Sequence, residues 1–157
     1  MDEYRKTGVL TEENLREVLP ELKGKIAIVE CVEDIPCDPC VTACPSGAIV
    51  IDSLIGEPRL IQEKCGGCGV CIAECPGLAI FVVDFEYSAD EAVVMLPYEF
   101  IPLPEKGEEV DLLDREGKKC GRGTILKVKP HKNKTTVISV VVPKELAMQV
   151  RNVRRIP

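Results

Sequence analysis

Cys65, Cys68, Cys71 and Cys75 lie within CGGCGVCIAECP, residues 65–76, at the spacing Cys-x2-Cys-x2-Cys-x3-Cys, with Pro76 immediately after. Three thiolates on one tight turn can face a single iron–sulfur cube. The fourth sits a helical turn further on, points elsewhere and serves a second cube. Gly66, Gly67 and Gly69 suit such a loop, because glycine takes positive φ and lets backbone N–H groups come close to sulfur. The motif therefore calls for a partner of its own kind in the same chain.

That partner is CDPCVTACP, residues 37–45, in which Cys37, Cys40 and Cys44 match Cys68, Cys71 and Cys75 at a constant offset of 31 residues. The halves also continue alike, CPSGAIVID answering CPGLAIFVVD. Self-similarity at a fixed offset predicts one pseudo-twofold unit built of two related halves. With seven cysteines and both following prolines in register, residues 31–84 resemble a bacterial two-cluster ferredoxin.

The upstream run departs from that pattern. Asp34 stands where a match to Cys65 would fall, and the nearest spare cysteine is Cys31, giving Cys31-x5-Cys37-x2-Cys40-x3-Cys44-Pro45. A three-residue insertion carrying Pro36 can bulge outward and still return Cys31 to the cube. By analogy with crossed ligation, the resemblance implies that Cys31, Cys37, Cys40 and Cys75 hold cluster 1, and Cys65, Cys68, Cys71 and Cys44 hold cluster 2. Asp34 as an oxygen ligand, or a cluster lacking one iron, stays open beside Cys31.

Other uses of the cysteines fit less well. A disulfide framework is disfavoured by the odd count of nine, the lack of a signal-peptide pattern and a 157-residue length that can bury a core without staples. Zinc favours two separated Cys-x2-Cys pairs rather than three cysteines in seven residues followed by Cys-Pro. Cys120, alone in GKKCGRG, is expected to be a small buried hydrophobe on a strand. A reducing cytoplasmic compartment is expected.

The composition is that of a soluble globular chain, 45% apolar and 29% charged. No run approaches the roughly 20 apolar residues of a membrane span. A formal charge of −6, three Tyr, three Phe and no Trp disfavour nucleic acid. The charge is uneven: residues 31–90 hold ten acids against Arg59 and Lys64, or −8, and residues 91–157 hold thirteen bases against nine acids, or +4. An acidic cluster module of this kind is suited to a basic docking face.

The elements that must position the cysteines follow from pattern and punctuation. Thr11 as N-cap, Glu12 and Glu13 in the first turn, a Leu10–Leu15 staple and Pro20 as terminator predict a helix over 12–19. KIAIVECV, residues 25–32, reads as a strand entering the first cysteine loop, AIVID and PRLIQ as a hairpin, and LAIFVVDF, residues 78–85, as a closing strand. Short helices carry Cys44 and Cys75. From residue 91 the chain reads as strands with turns at Arg115–Gly117 and Pro130–Lys134, forming a small barrel-like module or an appended sheet, with Lys144–Val153 as a short helix or last strand. The expected class is α+β: an N-terminal helical extension (1–24), a two-cluster ferredoxin domain with pseudo-twofold halves (25–90) and a β-rich C-terminal domain (91–157).

No catalytic constellation is present. There is no phosphate loop or nucleophile elbow, and the single His131 sits in a lysine-rich turn, where an exposed loop histidine is expected. The expected chemistry is therefore one-electron transfer by the clusters. Three roles compete: an electron-transfer subunit bound to flavoproteins, a free ferredoxin, and a scaffold with structural clusters. The extensions on both sides of the cysteine region favour the first. The layout of IPCDPC, CGGCGVCIAECPGLAIF and a β-rich tail also resembles the ferredoxin-like small subunit of heteromeric flavin-dependent dehydrogenases that oxidise proline, hydroxyproline and similar amino acids. That resemblance implies two 4Fe-4S clusters on this chain, FAD or FMN on partner flavoprotein subunits, and no catalytic residue here.

Overall fold

The computed structural model describes residues 3–157. Two short helices, α1 (Tyr4–Thr7) and α2 (Glu12–Leu15), open the chain. The Thr11 hydroxyl caps α2 by accepting from the Asn14 N–H, and the Asn14 side chain accepts from the Thr11 N–H. The helix is shorter than the predicted 12–19: hydrogen-bonded turns follow Leu15, whose side chain is fully buried.

Next come β1 (Lys25–Val29), α3 (Pro39–Ala43), β2 (Ile49–Val50), β3 (Arg59–Leu60), a 3-10 turn, α4 (Val70–Glu74) and β4 (Ile80–Asp84). β1 pairs antiparallel with β4, from Lys25 opposite Asp84 to Val29 opposite Ile80, and β2 pairs with β3 in the small hairpin expected from the sequence. α3 packs against α4. The cysteine loops thus run between two strand pairs, each loop ending in a one-turn helix.

β5 (Glu91–Tyr98), β6 (Glu109–Leu113), β7 (Lys119–Pro130), β8 (Thr136–Pro143) and β9 (Asn152–Arg155) complete an antiparallel seven-stranded sheet of order β1-β4-β5-β8-β7-β6-β9. Residues 144–153, expected as a helix or strand, divide into a 3-10 turn, Lys144–Leu146, and the start of β9. β4 pairs directly with β5, Val83 opposite Val94, so the boundary expected at residue 90 lies in a connection within one sheet. The sheet curls until its last strand, β9, approaches β5.

That curl explains why KIAIV and IFVVD show no polar alternation: both faces of β1 and β4 are covered. Ile26, Ile28, Phe81 and Val83 enter a core shared with Ala92, Val94, Leu96, Ile138, Val140 and Val153. Ala27, Val29, Ile80 and Val82 enter a second core beneath the cysteine loops, with Cys40, Cys71, Ile72 and Val137. A sheet wetted on one side would alternate; one packed on both sides is apolar throughout.

Candidate functional site

The eight cysteines gather into two sets. Around Cys40, whose thiol is pushed up to about 11, burial is the main cause and the thiols of Cys75 and Cys31 add to it. Cys31 is likewise raised, by burial first, with Cys75 and Cys37 contributing against a lowering backbone hydrogen bond at Glu33. Around Cys71, burial again leads, joined by Cys68, Cys65 and Cys44, and the thiol rises to about 12. Cys44, Cys65, Cys68 and Cys71 line one small cavity, and Cys31, Cys37 and Cys75 line another of about 440 Å3. Each set therefore combines three cysteines of its own half with one carried by the opposite helix.

Backbone amides point at the sulfurs. Ala48 N–H donates to Cys44 Sγ at 3.2 Å, and its counterpart 31 residues on, Ala79 N–H, to Cys75 Sγ at 3.4 Å. Ala27 N–H, on β1, reaches Cys65 Sγ at 3.4 Å. Burial pushes Cys44 up, but the Ser46 hydroxyl and the amides of Ala48, Ser46 and Ile49 outweigh it, leaving this thiol below its ordinary value. Such donors stabilise the thiolate form that binds metal.

The downstream loop is held by close backbone approach. At Gly67 (φ 71°) a Cβ would fall 2.6 Å from Lys25 Cγ and 2.8 Å from the Lys25 carbonyl oxygen, so β1 leaves no room for a side chain, and Gly69 (φ 80°) takes a left-handed conformation with the Met95 methyl against it. The upstream loop is held by charge. Glu30, next to Cys31, is buried and accepts from Arg151 Nε at 2.7 Å and Arg115 Nε at 3.2 Å. Arg151 is itself buried, stacks 4.8 Å over the Phe81 ring and donates to the carbonyls of Ala147 and Val150. Nothing in the sequence marks these partners, which lie 85 and 121 residues from Glu30.

Asp34, the alternative to Cys31, is exposed in an ion pair with Arg5 at 3.7 Å, and the insertion bends outward at Ile35 and Pro36. Cys120 lies apart from both sets. It sits half-buried at the β6–β7 bulge with its S–H toward the Leu112 carbonyl, and burial, with Asp114 adding, raises its thiol. His131 is half-buried on the wall of a cleft.

The donor set suits iron–sulfur cubes. Among the described residues no three Cys, His, Asp or Glu side chains converge on one point as a single ion requires. A four-iron cube takes one thiolate per iron, spread over its corners. Residues 30–79 match the family described as a 4Fe-4S dicluster domain, so this region is similar to iron–sulfur proteins of ferredoxin type.

Over 61 residues the chain is 38% identical to the polyferredoxin-like subunit of an aliphatic sulfonate oxidoreductase from Pyrococcus furiosus, covering 39% of this chain and 33% of that protein. It is 44% identical over 59 residues to one of the subunits of an ion-translocating oxidoreductase complex from Methanosarcina acetivorans, 37% of this chain and 22% of that one. Over 45 residues it is 44% identical to the electron transport protein HydN of Escherichia coli, 29% of this chain and 25% of that one. The chain thus spans a third or less of the length of these relatives. No solved structure matches it. No helix among the described residues is long and apolar enough to cross a membrane.

Proposed function

We propose that this chain is an iron–sulfur electron-transfer subunit that relays single electrons through two 4Fe-4S clusters between flavin sites of a multisubunit dehydrogenase, whose partner flavoprotein oxidises a proline-like amino acid in the cytoplasm. One observation carries the relay: each thiol set draws its fourth member from the other half, Cys75 beside Cys31 and Cys40, and Cys44 beside Cys71. Crossed ligation of this kind places two clusters side by side in a pseudo-twofold unit. The flavin partners and the amino-acid substrate rest on the resemblance of the cysteine layout. The named relatives, subunits of oxidoreductase complexes among them, agree with a role in electron transfer.

When bound, each cube supplies one-electron oxidation and reduction at a potential set by hydrogen bonds to sulfur, charge and exposure. The protein's part is to hold and tune. Cys31, Cys37, Cys40 and Cys75 bind one cluster, and Cys65, Cys68, Cys71 and Cys44 the other. Cys40 and Cys71, raised by burial, would stay protonated until a cluster binds their sulfurs, and loading would then release those protons to solvent. The amides of Ala27, Ala48 and Ala79 stabilise sulfur charge, and Ile72, Ile80 and Val82 keep water from the buried side.

Anaerobically reconstituted protein should hold about eight irons and eight sulfides; four irons, or zinc, would refute the two-cluster reading. Cys31→Ser should damage the upstream cluster alone, and Cys120→Ser should leave iron content and paramagnetic resonance unchanged. Purification from the native source with its co-eluting chains and cofactors tests the partners: a lone monomer free of flavoprotein would favour a free ferredoxin.

A further inference from the structure

A cleft of about 630 Å3 borders the downstream thiol set, and its wall includes Cys68, an exposed cysteine. Lys25, Lys106, Lys127 and Lys129 line it, with His131, against the single carboxylate of Asp84. All four lysines are exposed and none forms an ion pair among the described residues. Lys132 and Lys134, equally unpaired, extend the positive surface along the β7–β8 turn. That turn is fixed to the cluster region, because the Asn133 side-chain amide donates to the Ala73 carbonyl of α4 at 2.7 Å.

The acidic character expected of the cluster module is therefore reversed at this point. Residues 31–90 carry a formal −8, yet the fold lays the basic β7–β8 hairpin beside Cys68. Unpaired lysines around a concave surface focus a positive field and speed the approach of a negatively charged partner. Electron tunnelling falls steeply with distance, so the most exposed cysteine of a cluster set is where an electron would enter or leave. We propose that this cleft is the docking site for an electron-carrier protein with an acidic face, which exchanges one electron at a time with the cluster that includes Cys68. The direction of charge complementarity selects the partner: an acidic protein is drawn in and a basic one repelled. Docking rests on the relay proposed above for its electron, but the binding itself does not.

The test uses full-length reconstituted protein and the triple variant Lys106→Gln, Lys127→Gln, Lys129→Gln, all surface changes. An acidic plant-type [2Fe-2S] ferredoxin, basic cytochrome c and a neutral benzoquinone serve as probes. With the ferredoxin at low salt, the native protein should react about tenfold or more faster than the variant, and the gap should close as salt shortens the screening length. Calorimetric titration with the oxidised ferredoxin should give binding that the variant loses, while both react equally with the quinone. Equal ferredoxin rates and binding for the two proteins, a native preference for cytochrome c, or tighter binding of a single-stranded oligonucleotide than of the ferredoxin would each overturn the proposal. Calorimetric binding without electron exchange to any probe would instead strike the relay and leave the docking site standing.

Discussion

At the upstream run, Cys31 follows a buried carboxylate clamped by Arg115 and Arg151 from the C-terminal third of the chain; at the downstream run, Cys65 to Cys71 wrap a loop whose glycines press on Lys25 and Met95. The cysteine spacing repeats, but the supports do not. The tight Cys-x2-Cys-x2-Cys loop is shaped by its own glycines and needs only a surface to lie on. The loose Cys-x5-Cys loop has five residues to order and draws on a long-range ion cluster. A duplicated scaffold can thus give two centres with different dependence on the rest of the molecule.

The same comparison separates the sulfur environments. Cys44 has Ser46 Oγ within 3.5 Å, whereas its counterpart Cys75 is followed by Gly77, which has no hydroxyl. Gly47 (φ 66°) takes the left-handed conformation behind Cys44, and Leu78 (φ 54°) takes it behind Cys75. The half with the serine hydroxyl also has glycine at the left-handed position.

The largest effect is expected from truncation after residue 90. Removing β5 to β9 uncovers Ile26, Ile28, Phe81 and Val83, a loss of roughly 6 kcal/mol or more, set against a total stability of about 5–15 kcal/mol. Iron analysis and circular dichroism should find no folded, iron-loaded fragment. Full retention of both clusters would make residues 25–90 self-sufficient and erase the difference in support between the two runs.

Arg151→Met comes next. It strips one of two cations from buried Glu30, and because Arg115 stays paired the cost should fall below the about 3–5 kcal/mol of a buried charge left with no partner. Chemical denaturation should register that loss, and paramagnetic resonance should show the upstream cluster depleted while the downstream one persists. Equal loss of both would mean that the clamp supports the whole sheet rather than Cys31.

Ser46→Gly is a smaller change, aimed at the hydroxyl beside Cys44. Losing a hydrogen bond worth about 0.5–1.5 kcal/mol should lower the potential of the cluster served by Cys44 by about 20–65 mV, because the donor favours the more negatively charged reduced state. Redox titration should leave the other cluster where it was; a shift in both would rule out a local hydrogen bond as the cause. Smallest of all, Leu78→Gly relieves a left-handed conformation that costs an L-residue about 1–2 kcal/mol. Given the partly exposed side chain that is lost, a net gain of about 0.5–1 kcal/mol in unfolding free energy is expected. A loss would show that Leu78 packs on something that matters more than its strain.

By itself the sequence determined what depends on neighbours along the chain. Cysteine spacing, the 31-residue offset, Gly67 and Gly69, the Thr11 cap and the β-branched runs all act within a few residues, where geometry follows from residue type. Tertiary structure decided what depends on strand order. The pairing of β4 with β5 buried both faces of β1 and β4 and put the sheet across the expected boundary at residue 90. Beside Cys31, which lies with Cys37, Cys40 and Cys75, a turn between β6 and β7 and the residue before β9 both reach Glu30. The lysines gather at Cys68 because β8 lies beside β5 and β7 beside β8, which carries the basic hairpin over α4. Formal charge can be counted along a sequence, but a field depends on which charges the fold brings within a screening length of one another.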